Sequence, residues 1–299
     1  MALAQNCGVL TVEQGRERVQ HGSALFPIAC YEERLTCYSV PWHWHEEFEF
    51  ILAYEGTVTV GVDKKRLCLA QGQGVFVNSG VLHAVEFAEN GPSVLRSGVF
   101  HPRLVGSMDT IYWQKLIRPL LTADAPSYLL LDETTGWQAD VLDKLREIWL
   151  AIAQEPEDYE NWVRYLLSAV LHTLVLHYPA QVGRTSQQEQ AAAERMKQML
   201  RFVEEHYAEE LTVERIAESV ALSESACLRS FRQLLGTTPI QYVKHYRIEK
   251  AAELLLTTRL HTGEIGAECG FADLSYFTKT FREHKHCTPR EYRQRFAEK

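Results

Sequence analysis

The sequence predicts a multidomain chain whose first part is all-β and whose last part is all-α. Three observations carry this: short strand-like runs broken by glycine turns from residue 48 to 83, two long amphipathic stretches between 137 and 178, and a C-terminal segment that occurs twice. The duplication says most. Laying Ser225 on Ser275 also lays Phe231-Arg232 on Phe281-Arg282, Thr238-Pro239 on Thr288-Pro289 and Tyr242 on Tyr292, at an offset of 50. Upstream the offset is 49, pairing Ile216 with Ile265, Ala217 with Gly266 and Leu222 with Phe271, so one copy carries a single inserted residue in a turn. A solenoid needs three or more stacked units, and a tandem pair of small helical modules is expected instead.

In the first half, Phe48 to Leu52 is a short apolar run, and Val58, Val60 and Val62 alternate with polar or small residues. Breaks fall at Glu55-Gly56, Asp63-Lys64-Lys65, Gln71 to Gly74 and Asn78-Ser79-Gly80. Short strands with frequent turns predict an antiparallel barrel or sandwich. Within it lie His43-x-His45-x3-Glu49-x6-Gly56 and then Gly72-x5-Asn78-x-Gly80-x2-His83. On one strand residues 43, 45 and 49 share a face, so two imidazoles and a carboxylate converge and His83 joins from a neighbouring strand. Three readings stay open: a divalent metal on His43, His45, Glu49 and His83; a metal-free polar pocket that grips a small effector; or a hydrogen-bonded cluster without a ligand. Trp42 and Trp44 alternate with the histidines and face the other way, into core packing.

Trp137 to Ala153 places Val141, Leu142, Leu145, Ile148, Trp149 and Ile152 on one helical stripe, and Asn161 to Tyr178 is more apolar still. Such helices either cover their own sheets or make a dimer seam. After Pro179, Gln181 to Ala193 is polar and Gln/Ala-rich and reads as a linker.

Each repeat copy reads as helix, tight turn, helix, then a further helix. First helices are expected over Val213 to Glu218 and Gly263 to Glu268, capped by Thr212 and Thr262, with Ala217 and Gly266 small enough for a close crossing. Second helices follow the N-caps Ser223 and Asp273 and turn Phe231 and Phe281 inward. Thr238 to Gln241 and Thr288 to Glu291 are capping boxes with proline at the first helical position. A helix that enters a major groove shows one face to the bases while the other packs. The exposed positions are Ser225, Leu228 and Arg229 in the first copy and Leu274, Ser275, Thr278 and Lys279 in the second.

Charge divides unevenly. The total is −8, yet residues 194 to 299 hold 17 basic against 16 acidic residues, and from 225 onward the tally is 13 against 8. A local positive face is therefore compatible with an acidic chain, and helix N-termini share the phosphate contacts. Met1 to Asn6 has neither the basic flank nor the apolar run of a signal peptide, and Tyr165 to Leu176 is too short to span a membrane. Seven cysteines, at 7, 30, 37, 68, 227, 269 and 287, form no CxxC and no even framework. A cytoplasmic chain is expected.

Glu264-Ile265, Gly270-Phe271-Ala272-Asp273, Ser275-Tyr276-Phe277, Phe281-Arg282 and Thr288 to Tyr292 resemble the signature of the arabinose-regulator (AraC) family of bacterial transcription factors. The resemblance covers about residues 194 to 299. It implies two helix-turn-helix units joined by a long helix over about Ile240 to Leu256, and base-reading positions at Ser225, Leu228, Arg229, Leu274, Ser275, Thr278 and Lys279. Leu228 and Leu274 depart from the polar residues often found there. The first half, about residues 20 to 110, resembles the cupin barrel, whose metal sites use three histidines and one glutamate, and the sensor domain of sugar-responsive AraC regulators. Cys37, Asn78 and Phe87 stand where the cupin pattern has glycine, proline and asparagine. All four ligand positions are kept.

The expected organisation is a cupin-like effector domain over 1–135, a helical dimerisation segment and linker over 136–193, and a double helix-turn-helix domain over 194–299. The expected function is a sequence-specific regulator of transcription, an activator that recruits RNA polymerase, with double-stranded DNA, a carbohydrate effector and a second copy of the chain as partners. It needs no cofactor in this reading. The competing class is a metal-dependent cupin enzyme, a sugar isomerase or dioxygenase, with a DNA-binding tail; a third is an architectural DNA binder that ignores small molecules.

Overall fold

The structure, a computed structural model, describes residues 3–4, 12–13, 16–17, 19–35, 39–63, 65–86, 93–122, 125–177, 187–285 and 287–296. The chain divides into two compact units, Met1–Leu10 with Arg16–Gln190, and Thr11–Gly15 with Ala191–Lys299.

The strands are β1 (Leu3–Ala4), β2 (Val12–Glu13), β3 (Arg16–Glu17), β4 (Ile28–Leu35), β5 (Val40–His43), β6 (Phe48–Glu55), β7 (Val58–Val62), β8 (Lys65–Leu69), β9 (Gly74–Val77), β10 (His83–Glu86), β11 (Ser93–Phe100) and β12 (Tyr128–Leu131), all in the first unit except β2. Six of them form one sheet in the order β1-β4-β11-β6-β9-β12, and four form another in the order β5-β10-β7-β8. Pairing in both is antiparallel except between β1 and β4. Among the described residues no strand joins the two sheets into a ring, so the barrel expected from the cupin resemblance is an open pair of sheets. The expected turns are present: Gly56, Gly72 and Gly80 all take positive φ, where a Cβ would be strained.

Two apolar layers flank the larger sheet. One lies between the sheets and includes Leu35, Ile51, Val58, Val60, Val62, Val75, Val77, Val85 and Leu95. The other lies on the opposite face, where Ile28, Phe48, Phe50, Phe76 and Phe100 meet two helices, α1 (Gly136–Gln154) and α2 (Tyr159–His177). A strand covered on both faces needs apolar residues at successive positions, which is why Phe48 to Ala53 lacks alternation. The stripe read from the sequence, Val141 to Ile152, is buried in this second layer. The Trp149 indole N–H donates to the Tyr31 carbonyl at 3.0 Å, and the Arg96 guanidinium lies 3.9 Å over that ring and 3.4 Å over Tyr54. α1 thus covers its own sheet, and α2 packs on α1 in the same layer. No described helix is long and apolar enough to cross a membrane.

Of the segment read as a linker, residues 181–186 lie outside the described residues, as do Tyr178 and Pro179. Residues 187–193 are helical, at the start of α3 (Gln187–His206). Gln, Ala and Glu are strong helix formers, and here that propensity prevails over the polar composition.

The second unit continues with α4 (Val213–Glu218), α5 (Glu224–Leu235), α6 (Pro239–Thr257), α7 (Thr262–Glu268), α8 (Leu274–Lys285) and α9 (Pro289–Phe296). The repeat is visible in the backbone. Leu222 N–H donates to the Ala217 carbonyl and Phe271 N–H to the Gly266 carbonyl, both at 2.9 Å. The turn residue 49 positions apart is left-handed in each copy, Ala221 at φ 53° and Gly270 at φ 78°. The Ser223 hydroxyl caps α5 through Ala226 N–H, and the Asp273 carboxylate caps α8 through Tyr276 N–H at 2.6 Å. Thr212 caps α4 as expected, whereas α7 begins one residue early, with Thr262 inside the helix and His261 at the cap, its N–H held by the Glu264 carboxylate at 2.7 Å. The Thr288–Glu291 box is reciprocal. In the other box Thr238 accepts from Gln241 N–H, while the Gln241 side chain turns to the Thr237 and Thr238 hydroxyls.

Cys30, Cys227, Cys269 and Cys287 are buried and Cys68 is exposed; Cys7 and Cys37 lie outside the described residues. Burial pushes the Cys227 thiol up to about 11 and Cys269 to about 12, which keeps them as unreactive core residues.

Candidate functional site

The four residues of the His-Glu pattern come together, but not from a single strand. His43 ends β5 in the smaller sheet and faces His83 across the β5–β10 pairing. Glu49 sits on β6 of the larger sheet, in a cross-strand row between Val99 and Val77. The chain between them crosses from one sheet to the other, carrying His45 on the way. One ligand atom from each of His43, His45, Glu49 and His83 lies within 4.8 Å of the others, and all four residues are buried.

The rings are held from behind. His43 Nδ1 lies 2.8 Å from the Pro41 carbonyl, His45 Nδ1 3.1 Å from that of Glu47, and His83 Nδ1 2.8 Å from that of Val81. A carbonyl only accepts, so each Nδ1 carries the proton. Each ring therefore turns Nε2 toward the cluster. His45 Nε2 and His83 Nε2 meet the same oxygen of Glu49, at 3.2 and 2.8 Å. Burial alone raises the Glu49 carboxyl, but the hydrogen bonds and charge of the two histidines outweigh it and hold it well below the usual carboxylate range.

A cavity of about 30 Å³ opens beside the cluster, lined by His43, Glu49 and His83 on one side and by His21, Tyr31, Glu33 and Ser97 on the other. That volume holds about two solvent-sized groups. No sequence motif points to the second group of residues. Tyr31 pairs with Ser97, and Glu33 with Leu95, across β4 and β11, strands more than fifty residues apart in the chain. The available signal was Glu33, a charged residue in phase with the buried Tyr31 and Leu35 of the same strand. Asn78, at the cupin proline position, ties loops together, since its amide donates to the Leu120 and Pro126 carbonyls. Trp42 lies over Gly61, where an added Cβ would come within 2.8 Å of the indole. Cys37 and Phe87 lie outside the described residues.

In the second unit, Ser225, Arg229, Leu274, Ser275 and Lys279 are exposed, and Leu228 and Thr278 are half-buried on the same helices. Neither Arg229 nor Lys279 is held by a carboxylate among the described residues. Behind these faces Phe231 and Phe281 are fully buried, each edge-on to its repeat-matched tyrosine, Tyr242 at 5.9 Å and Tyr292 at 5.5 Å between centroids. Arg232 and Arg282, also 50 apart, are exposed beside the same helices, as is Tyr276; the sequence pattern alone gives them no contact with DNA.

Residues 216–295 match the family description "Helix-turn-helix domain", and residues 25–120 match "AraC-like ligand binding domain". The chain is 30% identical over 283 residues to the uncharacterized HTH-type transcriptional regulator YdeC of Bacillus subtilis, covering 93% of this chain and 96% of that one. It is 25% identical over 282 residues to the HTH-type transcriptional activator RhaS of Escherichia coli O139:H28, covering 92% and 97%. An AraC-type DNA-binding domain of known structure from Chromobacterium violaceum is 32% identical and covers 36% of this chain and 97% of that one, with a TM-score of 0.35. The chain belongs to the AraC family of transcriptional regulators, with an AraC-like ligand-binding domain ahead of its helix-turn-helix domain.

Proposed function

We propose that this regulator places α5 and α8 in successive major grooves of operator DNA, and that a small polar effector held between the sheets decides whether both engage. The observation that carries the first half is the pair of exposed helix faces set on duplicated cores. In this reading Arg229 grips guanine O6 and N7 through two parallel bonds, worth ~1–3 kcal/mol of discrimination, and Lys279 acts as a point charge. Ser225, Ser275 and Thr278 bond to base edges or phosphates, and Leu228 and Leu274 meet thymine methyl groups. Arg232 and Arg282 hold phosphates.

The effector acts through its differential affinity for two arrangements of a dimer. We assign the dimer seam to the outward side of α1 and α2, where Leu150, Trp162, Tyr165 and Leu176 remain exposed. The relative RhaS is a transcriptional activator, which supports activation as the sign of regulation here; recruitment of RNA polymerase is the route we propose for it. A carbohydrate matches the hydroxyl, carboxylate and imidazole lining in chemistry but exceeds the folded cavity, so carbohydrate binding entails a separation of the sheets.

Footprinting on the chain's own promoter region tests this. Two protected major grooves on one DNA face are expected, with Arg229→Ala and Lys279→Ala each weakening the specific complex. Unchanged affinity in both variants, or protection of a single turn, removes the assignment. His45→Ala is expected to spare DNA binding and blunt the response to effector.

A further inference from the structure

Two elements run between the helix-turn-helix copies. One is α6, which sets Tyr242 against Phe231 of copy one and, further along, puts Ile248, Ala251, Ala252 and Leu255 into the core of copy two. The other is the tail of α3, Tyr207 to Glu210, whose carbonyls lie beyond the C-terminal, negative end of a 20-residue helix. Two arginines take these carbonyls, one from each side. From α4 of copy one, Arg215 donates to the Glu210 carbonyl at 2.5 Å and pairs with the Glu209 carboxylate at 2.8 Å. From α6, beside Ile248, Arg247 donates to the Tyr207 carbonyl through Nε and to the Glu209 carbonyl through Nη2, both at 2.7 Å. The Tyr207 ring itself packs on the copy-two core. The turn of copy two closes on the same tail: a Cβ on Gly270 would meet the Tyr207 and Ala208 carbonyls at 2.8 and 2.9 Å and the Arg247 guanidinium carbon at 3.0 Å. The matching residue of copy one, Ala221, is exposed and holds the same left-handed backbone with its methyl group in place. Positive φ alone therefore does not demand glycine in this turn; the close approach of the α3 tail does.

We infer that the α3 tail is a bracket that fixes the spacing of α5 and α8, and that Arg247 is the positioning residue that holds it. A single helix sets the distance between the two copies; a second, separate tie stops them turning about that helix. The planar fork of an arginine suits this place, because it holds two carbonyls in one fixed geometry that a lysine ammonium does not reproduce. Fixed spacing is what joint binding needs. Two linked contacts gain roughly 100-fold or more over one alone, and lose that gain when geometry forbids both. The inference rests on the proposal that α5 and α8 enter successive major grooves, and it adds what keeps them in register.

The test uses the full chain and the duplex it selects from a random library, remade with one base pair added or removed between the two contacted grooves. That change moves the second groove by about 3.4 Å and turns it by about 35°. Competition binding gives the ratio of affinities for the selected and the altered spacing, a quantity that a smaller folded fraction does not move. Wild type is expected to lose roughly 100-fold on the altered duplexes, and Arg247→Ala about tenfold or less, with weaker binding at the selected spacing. Arg215→Ala, at the half-exposed tie on the other side, is expected to lower the ratio in the same direction. An unchanged ratio in Arg247→Ala, or in Arg215→Ala where the first variant does not fold, overturns the bracket. So does a wild-type chain that tolerates the altered spacing. Protection of a single groove by wild type overturns both this inference and the two-groove reading beneath it, whereas an unchanged ratio with both grooves protected leaves that reading standing.

Discussion

The two helix-turn-helix copies share what they bury and differ in what they show. Position for position they keep the phenylalanine of the second helix, the tyrosine of the third, the left-handed turn and the side-chain caps of the second and third helices. Their outward faces diverge beyond the shared Ser225 and Ser275: Leu228 and Arg229 stand against Thr278 and Lys279. Packing constrains the first set, because a small helical module tolerates few ways of filling its interior. The second set is less constrained by packing, which leaves it free to differ between the copies. The comparison therefore separates residues that make the module from residues that use it, and its sharpest test is to truncate the shared aromatics. Phe231→Ala and Phe281→Ala should each cost about 3–5 kcal/mol, through lost burial and a residual cavity. Hydrogen exchange of α5 and α8 reads this copy by copy, and a loss confined to one of them breaks the equivalence.

One shared position hides a volume exchange. Against the small residue of the first helix, copy two sets Phe277, and an added Cβ on Gly266 would come within 2.9 Å of that ring. Copy one has Ala217 and Cys227 at the matching positions, a larger residue beside a smaller one, both buried. Gly266→Ala should destabilise copy two by about 1–3 kcal/mol from overpacking, offset by about 1 kcal/mol of helix propensity. Urea denaturation followed by far-UV circular dichroism measures the net loss. A net gain in stability would mean that the helices do not meet as closely as the ring contact indicates.

The outward faces separate by mechanism more than by magnitude. Arg229→Ala should relax base preference at one operator position by ~1–3 kcal/mol, whereas Lys279→Ala should lower affinity for all sequences and reduce the salt slope by about one. Binding assays across single-base operator variants at several salt concentrations distinguish the two patterns. Identical behaviour of both variants would erase the distinction between a bidentate contact and a point charge.

Legibility followed the same division. The helical unit was readable because its constraints are local: a cap, a proline and an inward aromatic recur at fixed spacing, and the second copy checks the first. At the His-Glu cluster the four positions were readable as a pattern, but their arrangement was not. The sequence cannot show that the chain from His43 to Glu49 changes sheets, so a common strand face was expected where two sheets converge. The far wall depends on the pairing of β4 with β11, which places Ser97 beside Tyr31 through contacts no spacing encodes. The open edge of the sheets was missed for the same reason, since strand closure is a property of the whole sheet. At α3 the polar composition obscured a propensity that was present all along.

The smallest expected effect tests where the copies cease to match in their interiors. Copy one buries Leu234, and the aligned residue in copy two is His284, half-buried beside His245 of α6 at 5.3 Å between centroids. Burial lowers the pKa of both histidines. For His284 the charges of His245 and Lys244 add to this and Glu249 and Glu283 oppose it; for His245 Glu249 opposes it and Lys285 adds to it. Among the described residues His284 Nε2 has no hydrogen-bond partner, and Lys285 is drawn to Glu249 at 2.6 Å. A histidine with a depressed folded pKa stays neutral while the unfolded chain takes up a proton. Stability is then fully present above the ordinary value of 6.5 and declines as pH falls from there toward the folded values. His284→Leu, which restores the residue of copy one, should make that decline shallower without loss near pH 7.5, because the unpartnered nitrogen goes with the ring. Exchange rates of α8 amides at pH 5 and 7.5, compared after correction for intrinsic exchange, measure the slope. An unaltered slope in the variant would place the acid sensitivity elsewhere and leave the two interiors energetically equivalent despite their different residues.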